Sequence, residues 1–157
     1  MAQAVYLESS IISYLAARPS RDIIVAARQQ LTQEWWQRRR GAFDVYVSEL
    51  VLAEINAGDP DAAEKRQVIV EGIELLEISD EATDLAEHIV RTAGLPEKAA
   101  ADALHIAIAA CHGMDYLLTW NAAHIANAEF RPRVESSCRG YGYSPPVLCT
   151  PDELMGI

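Results

Sequence analysis

The chain has 157 residues, 50% of them hydrophobic, with 13 Lys and Arg against 23 Asp and Glu, a net charge of −10 and a pI near 4.8. That length suits one domain over residues 1–157 with a core large enough to fold alone. The acidic balance argues against general adhesion to nucleic acid or anionic membrane, while leaving room for a local basic patch or for a cation among clustered acids.

Cys111, Cys138 and Cys149 are widely spaced and form no C-x-x-C pair, so neither a disulfide framework nor a zinc site is expected. A reducing, cytoplasmic setting follows. No basic segment precedes the first apolar run, and no run is long enough to span a bilayer, so the expectation is a soluble protein without membrane attachment.

In chain order, residues 4–7 (Ala-Val-Tyr-Leu) read as a buried parallel strand that Glu8-Ser9-Ser10 ends abruptly. A short helix over 11–17 precedes a long amphipathic helix capped by Ser20 or Asp22 and running to about Arg40. Trp35 and Trp36 are adjacent and cannot share a core, so one is expected inside and the other exposed or at an interface. Residues 43–47 read as a second strand, and Ser48 caps a helix from Glu49 to Ala57. Either Glu49 or Glu54 on that helix could face inward. A helix over 60–71, a strand over 73–78 and a helix from Ser79 to about Ala93 come next.

The sequence from Glu97 to Gly113 predicts an Ala-rich helix, with Leu104, Ala107, Ile108 and Cys111 on one face and Lys98, Asp102, His105 and His112 on the other. Asp102 in such a helix requires a partner: Lys98 one turn earlier, a hydrogen-bond donor, or a metal. His105, His112 and His124 read as buried histidines satisfied by backbone carbonyls. A strand over 115–120, a turn of helix over 122–125, a last helix over 127–139, an edge strand at Val147-Leu148 and a final turn at 152–154 complete the chain. The alternation predicts an α/β three-layer sandwich around a mostly parallel sheet.

In open parallel sheets, ligand sites lie beyond the carboxyl ends of the strands. Glu8-Ser9-Ser10 and Thr119-Trp120-Asn121 both fall there, with Asp102 and Glu54 available from helices. Oxygen donors without cysteine suit Mg²⁺ or Mn²⁺, which would activate a water and offset charge on an attacked phosphodiester. Ser9 and Thr119 are candidates to hydrogen-bond the acids, and His105 to orient Asp102 or meet a phosphate. Arg38-Arg39-Arg40 and Arg131, Arg133 and Arg139 could meet phosphates, although a solvated charge run explains them as well.

Four stretches together resemble the four acidic motifs of PIN domains, nearest to the VapC-like toxin group. They are Tyr6–Leu15 (Tyr-Leu-Glu-Ser-Ser-Ile-Ile-Ser-Tyr-Leu), Ser48–Ile55, Ala101–Ala107 and Leu117–Ile125. The resemblance implies a PIN-like sandwich and a Mg²⁺- or Mn²⁺-dependent endoribonuclease, commonly a homodimer, held inactive by a small antitoxin. It assigns the metal and catalytic positions to Glu8, Glu54, Asp102 and Asn121. The first position is normally aspartate, so Glu8 carries its carboxylate about 1.5 Å further out. At the fourth, Asn121 offers a neutral carbonyl where a carboxylate is usual. These two departures motivate the alternative of a PIN-like module that binds RNA or protein with little or no catalysis. No G-x-G-x-x-G or G-x-x-x-x-G-K-[ST] supports a nucleotide-binding enzyme.

Overall fold

The computed structural model describes residues 1–156. Five strands, β1 (Gln3–Leu7), β2 (Phe43–Ser48), β3 (Glu74–Leu76), β4 (Tyr116–Leu118) and β5 (Val147–Cys149), form one sheet in the order β3-β2-β1-β4-β5. Every pairing is parallel, with Val5 opposite both Val45 and Tyr116. Val5, Tyr6 and Leu7 in β1 and Leu117 and Leu118 in β4 have no exposed surface, as expected of central parallel strands covered on both faces.

The helices are α1 (Ser9–Ala16), α2 (Ile23–Arg38), α3 (Glu49–Ile55), α4 (Pro60–Val70), α5 (Asp80–Ala93), α6 (Ala100–Cys111) and α7 (Arg131–Gly140). Side chains of Asp22, Ser48, Asp59 and Ser79 accept from the free amides of the first turns of α2, α3, α4 and α5. Gly94 closes α5 at φ 71°, a left-handed conformation that a Cβ would disfavour. None of the helices among the described residues is long and apolar enough to cross a membrane. All three cysteines are free thiols.

Trp35 is fully buried and stacks on Phe43 with ring centroids 5.9 Å apart, whereas Trp36 is half-buried with the Arg40 guanidinium 3.9 Å over its ring. Arg39 and Arg133 similarly lie over Phe43 and Phe130.

Several elements differ from their sequence-based bounds. The strand expected over 73–78 pairs only over Glu74–Leu76, and as the sheet's edge it leaves Leu75 exposed. The strand expected over 115–120 pairs over Tyr116–Leu118; Thr119 N still donates to Cys149 O, and the backbone then leaves the ladder as Trp120 N turns to Ser10 Oγ. Residues 122–125 form turns rather than helix, since the Asn121 side chain accepts the amides of Ala123 and His124. The last helix begins at Arg131, not 127, because Asn127 likewise caps the amides of Glu129 and Phe130.

The largest difference concerns Asp102. Residues Glu97–Ala99 form a 3₁₀ turn and α6 begins at Ala100, so Asp102 lies in its first turn rather than mid-helix. There the helix dipole favours a carboxylate. The expected division into two faces does not hold either: His105 is fully buried along with Ala103, Ile106, Ala107, Ile108 and Ala109, while Leu104 and Cys111 are only partly covered.

Ile106 sits at the centre of this packing, whereas Ile24 on α2 is 65% exposed. Ile106→Ala is expected to lower stability by about 2–5 kcal/mol. Ile24→Ala should change it by about 0.5 kcal/mol or less. Urea denaturation of the two variants checks the contrast.

Candidate metal centre

The sheet reverses its winding between β1 and β4, the position where open α/β sheets form a crevice beyond their carboxyl ends. Glu8 follows β1 directly, and its amide donates to Leu118 O of β4 at 3.0 Å. The residue is 6% exposed. The Oε1 atom accepts from Ser10 Oγ at 2.5 Å and Thr119 Oγ1 at 2.6 Å. Glu54, on α3, is held in the same way, its Oε1 accepting from Ser9 Oγ at 2.5 Å and His105 Nε2 at 2.6 Å. In both glutamates Oε2 has no hydrogen bond among the described residues, so each carboxylate is clamped by one oxygen and presents the other.

The ligand atoms of Glu8, Glu54 and His105 all lie within 4.8 Å of one another. Lateral hydrogen bonds extend this group. His105 Nδ1 meets Tyr6 Oη at 2.5 Å, and Tyr6 Oη meets Ser48 Oγ at 2.7 Å. With Nε2–H donating to Glu54, a neutral ring leaves Nδ1 to accept from the Tyr6 hydroxyl. Burial pushes the Tyr6 phenol far above its usual range, outweighing the Ser48 hydrogen bond that opposes it, and the Glu8 and Glu54 charges add to the rise. Tyr6 is therefore a neutral hydroxyl able to donate or accept.

Burial would raise the Glu54 carboxyl as well. The hydrogen bond and electrostatic attraction of the His105 N–H, together with the Ser9 hydrogen bond, outweigh burial and hold it below its ordinary value.

Asp102 stands outside the group of three. Its Oδ1 accepts from Asn121 Nδ2 at 2.8 Å and its Oδ2 from His124 Nδ1 at 2.9 Å, so its partners are neither Lys98 nor a backbone amide. It nevertheless adjoins the group. Asp102 and His105 are three residues apart on α6, and such positions have Cβ atoms about 5–6 Å apart. In addition, Thr119 Oγ1 accepts from Asn121 N at 2.9 Å while donating to Glu8. Asn121 Oδ1 is engaged by the amides of Ala123 and His124 at 3.2 Å, so its carbonyl serves the turn and its amide nitrogen serves Asp102.

Between the rival glutamates of α3, Glu54 faces the cluster. Glu49 instead accepts from Ile78 N at 2.7 Å, tying α3 to the loop after β3. The expectation of buried histidines satisfied by backbone carbonyls is met only in part: His112 Nε2 meets Glu77 O at 3.0 Å but is half-buried, while His105 is buried and pairs, like His124, with a carboxylate. Sequence reasoning missed Tyr6, Ser48 and His124. The spacing of Asn121 and His124 is that of an N-cap contact, and Tyr6 shares strand parity with Glu8, two signals that could have found them.

Two imidazoles are the only side chains of basic type in salt-bridge contact with a carboxylate among the described residues. Glu8 and Glu54 therefore face each other without lysine or arginine. Clustered oxygens with one nitrogen and uncompensated charge form a donor set that fits a divalent cation.

A wholly parallel five-stranded sheet with acids gathered beyond its carboxyl ends is the setting in which the family becomes evident. The chain belongs to the PIN domain family, whose profile matches residues 5–129. Among solved structures it is similar to VapC20 from Mycobacterium tuberculosis, described as a sarcin-ricin loop cleaving toxin, at 16% identity and TM-score 0.60 over 76% of this chain and 91% of that one. It is also similar to VapBC2 from Rickettsia felis bound to a promoter DNA fragment, at 16% identity and TM-score 0.53 over 77% and 90%. FitAB bound to a DNA fragment, at 18% identity and TM-score 0.57, is covered over 94% of both chains. At these identities the likeness is one of fold. No curated protein matches the sequence.

The depressed Glu54 carboxyl has a pH signature in the metal-free protein. A folded value below the unfolded one stabilises the fold fully above the unfolded value of 4.5, and that contribution disappears as pH falls through the lower folded value. A carbon-detected NMR titration is expected to place the Glu54 midpoint below 4.5. It should move upward in Ser9→Ala, which removes one of the two donors to Oε1.

Proposed function

We propose that the protein is an endoribonuclease that hydrolyses RNA phosphodiester bonds with Mg²⁺ or Mn²⁺, and that it is the toxin of a toxin–antitoxin pair. The observation that carries this reading is the pair of glutamates, Glu8 and Glu54, each fixed through Oε1 with Oε2 unbonded among the described residues, gathered with His105, three residues beyond Asp102 on α6. In this reading Glu8 and Glu54 hold the ion, with Asp102 adjacent to them. Asn121 acts through its Nδ2, which orients Asp102, instead of through its carbonyl.

When bound, such an ion supplies a nucleophilic water at neutral pH and offsets charge building on the attacked phosphodiester. The chain's own residues do the positioning. Ser9, Ser10 and Thr119 donate to the glutamates, which fixes their rotamers and leaves no oxygen free to swing away. Asn121 and His124 hold both oxygens of Asp102, and the first turn of α6 favours its negative charge. RNA must approach a protein of net charge −10, so substrate binding relies on the ion and on local contacts rather than long-range attraction.

The description of VapC20 as a toxin that cleaves the sarcin-ricin loop, and the toxin–antitoxin pairs among the structural neighbours, support RNA as substrate and a small antitoxin as partner. A homodimer accords with the same reading. The alternative, a PIN scaffold that binds RNA or protein without cutting, is favoured by Asn121, whose neutral amide brings no charge to the fourth motif. Calorimetry separates the two, because a non-catalytic module need not take up Mn²⁺.

Purified protein should cut a mixed RNA panel with Mg²⁺ or Mn²⁺ and stop cutting in EDTA. Asp102→Ala and Glu8→Gln should each reduce the rate by about a hundredfold or more. Cleavage that persists in EDTA, or that survives Asp102→Ala, contradicts the proposal.

A further inference from the structure

We infer that His105 is itself a ligand of the cation, binding through Nε2 beside Glu8 and Glu54, and that the site for this reason favours Mn²⁺ over Mg²⁺. The inference rests on the metal-dependent reading above and specifies which atoms carry it.

The first support is geometric. His105 is fully buried, yet its Nε2 points at Glu54, lying 2.6 Å from Oε1, and a ring nitrogen of His105 lies within 4.8 Å of a carboxylate oxygen of each glutamate. Around an octahedral ion with bonds of about 2.1 Å, adjacent ligand atoms are about 3 Å apart and opposite ones about 4.2 Å. The observed spread therefore suits a shared ion once His105 and Glu54 separate by a few tenths of an ångström and any pair wider than about 4.2 Å, within the 4.8 Å limit, draws in by a similar amount. The proton now between Nε2 and Oε1 marks where positive charge is already accommodated.

The second support lies behind the ring. A ligating imidazole usually donates its other N–H to a fixed acceptor, which sets its tautomer and orientation. Tyr6 Oη, 2.5 Å from Nδ1, is in that place, and its ring packs edge-on against His105 with centroids 5.7 Å apart. Without a cation, Tyr6 donates to Nδ1 and Nε2 carries the proton. With one, Nε2 gives its lone pair to the ion, Nδ1 carries the proton and donates to Tyr6, and Tyr6 turns its hydroxyl hydrogen toward Ser48 Oγ. The neutral ring keeps one proton in both states, so no proton is gained or lost. Ser48 already accepts from Val51 N, and its second lone pair can receive Tyr6. The hydroxyl pair thus serves either tautomer of a ring that packing holds still.

The third support is charge. A neutral imidazole acting only as a strut between Tyr6 and Glu54 would leave Glu8 and Glu54 facing each other with no lysine or arginine in contact. A cation held by all three groups removes that repulsion. A nitrogen donor also shifts preference away from Mg²⁺, a hard ion that takes oxygen and retains its waters, toward the transition series.

Titration calorimetry and pulsed electron paramagnetic resonance on Mn²⁺-loaded full-length protein, prepared with ¹⁵N-histidine, test this. Wild type is expected to bind Mn²⁺ at least about tenfold more tightly than Mg²⁺ and to show a directly coordinated histidine ¹⁵N. The coupling should vanish in His105→Gln and persist in His124→Gln. Tyr6→Phe should keep the coupling while weakening Mn²⁺ binding by about tenfold, the usual effect of losing a partner behind a ligand. If His105→Gln does not fold, the labelled wild type and His124→Gln still decide. Mn²⁺ bound without histidine coupling, or coupling lost in His124→Gln, overturns the inference and leaves the nuclease reading standing. Failure of wild type to bind Mn²⁺ at all overturns both.

Discussion

Two carboxylates of like charge, the buried Glu8 and the partly exposed Glu54, are brought together without a lysine or arginine between them. Such an arrangement is unfavourable unless donors and a cation compensate it, and much of the surrounding structure consists of those donors. Ser10 and Thr119 clamp Glu8, and Ser9 and His105 clamp Glu54. Because Ser9 and Ser10 open α1 and Thr119 follows β4, the first helix and two central strands are joined at the site. The reversal of strand order between β1 and β4 supplies the gap in which this is possible, as no crossover helix covers the carboxyl end there.

Helix α6 is the second determinant. Its small residues Ala103, Ala107 and Ala110 are buried on the side away from His105, so α6 is covered on both sides and carries His105 into the interior against Tyr6 of β1. Starting the helix at Ala100 instead of Glu97 then places Asp102 in the first turn, where free amides and the helix dipole favour its charge. One short helix thus delivers an acid and an imidazole on one face, the acid facing the loop after β4 and the imidazole facing α3.

Much of the architecture was legible because it follows from local chemistry. The apolar run before Glu8 suits a covered strand, and Asp22, Ser48 and Ser79 stand where free helix amides need acceptors. What stayed hidden depends on partners distant in sequence. Nothing adjacent to Glu54 distinguishes it from Glu49; Ser9 and His105, 45 and 51 residues away, do so. Asp102 was readable as a carboxylate in need of a partner, but identifying His124 required the Asn121 turn to fold back over α6. The amide of Asn121 was expected to offer its oxygen to a ligand. In the structure that oxygen accepts the amides of Ala123 and His124, contacts that form only once the turn has folded.

The central claim is that acids from separate elements converge on one divalent cation. Anomalous diffraction from a crystal soaked in Mn²⁺ tests it most directly. A single strong peak about 2.0–2.5 Å from oxygens of both Glu8 and Glu54 is the predicted result. A peak confined to the Asp102–His124 pair or to the outer surface, with none between the two glutamates, would contradict it.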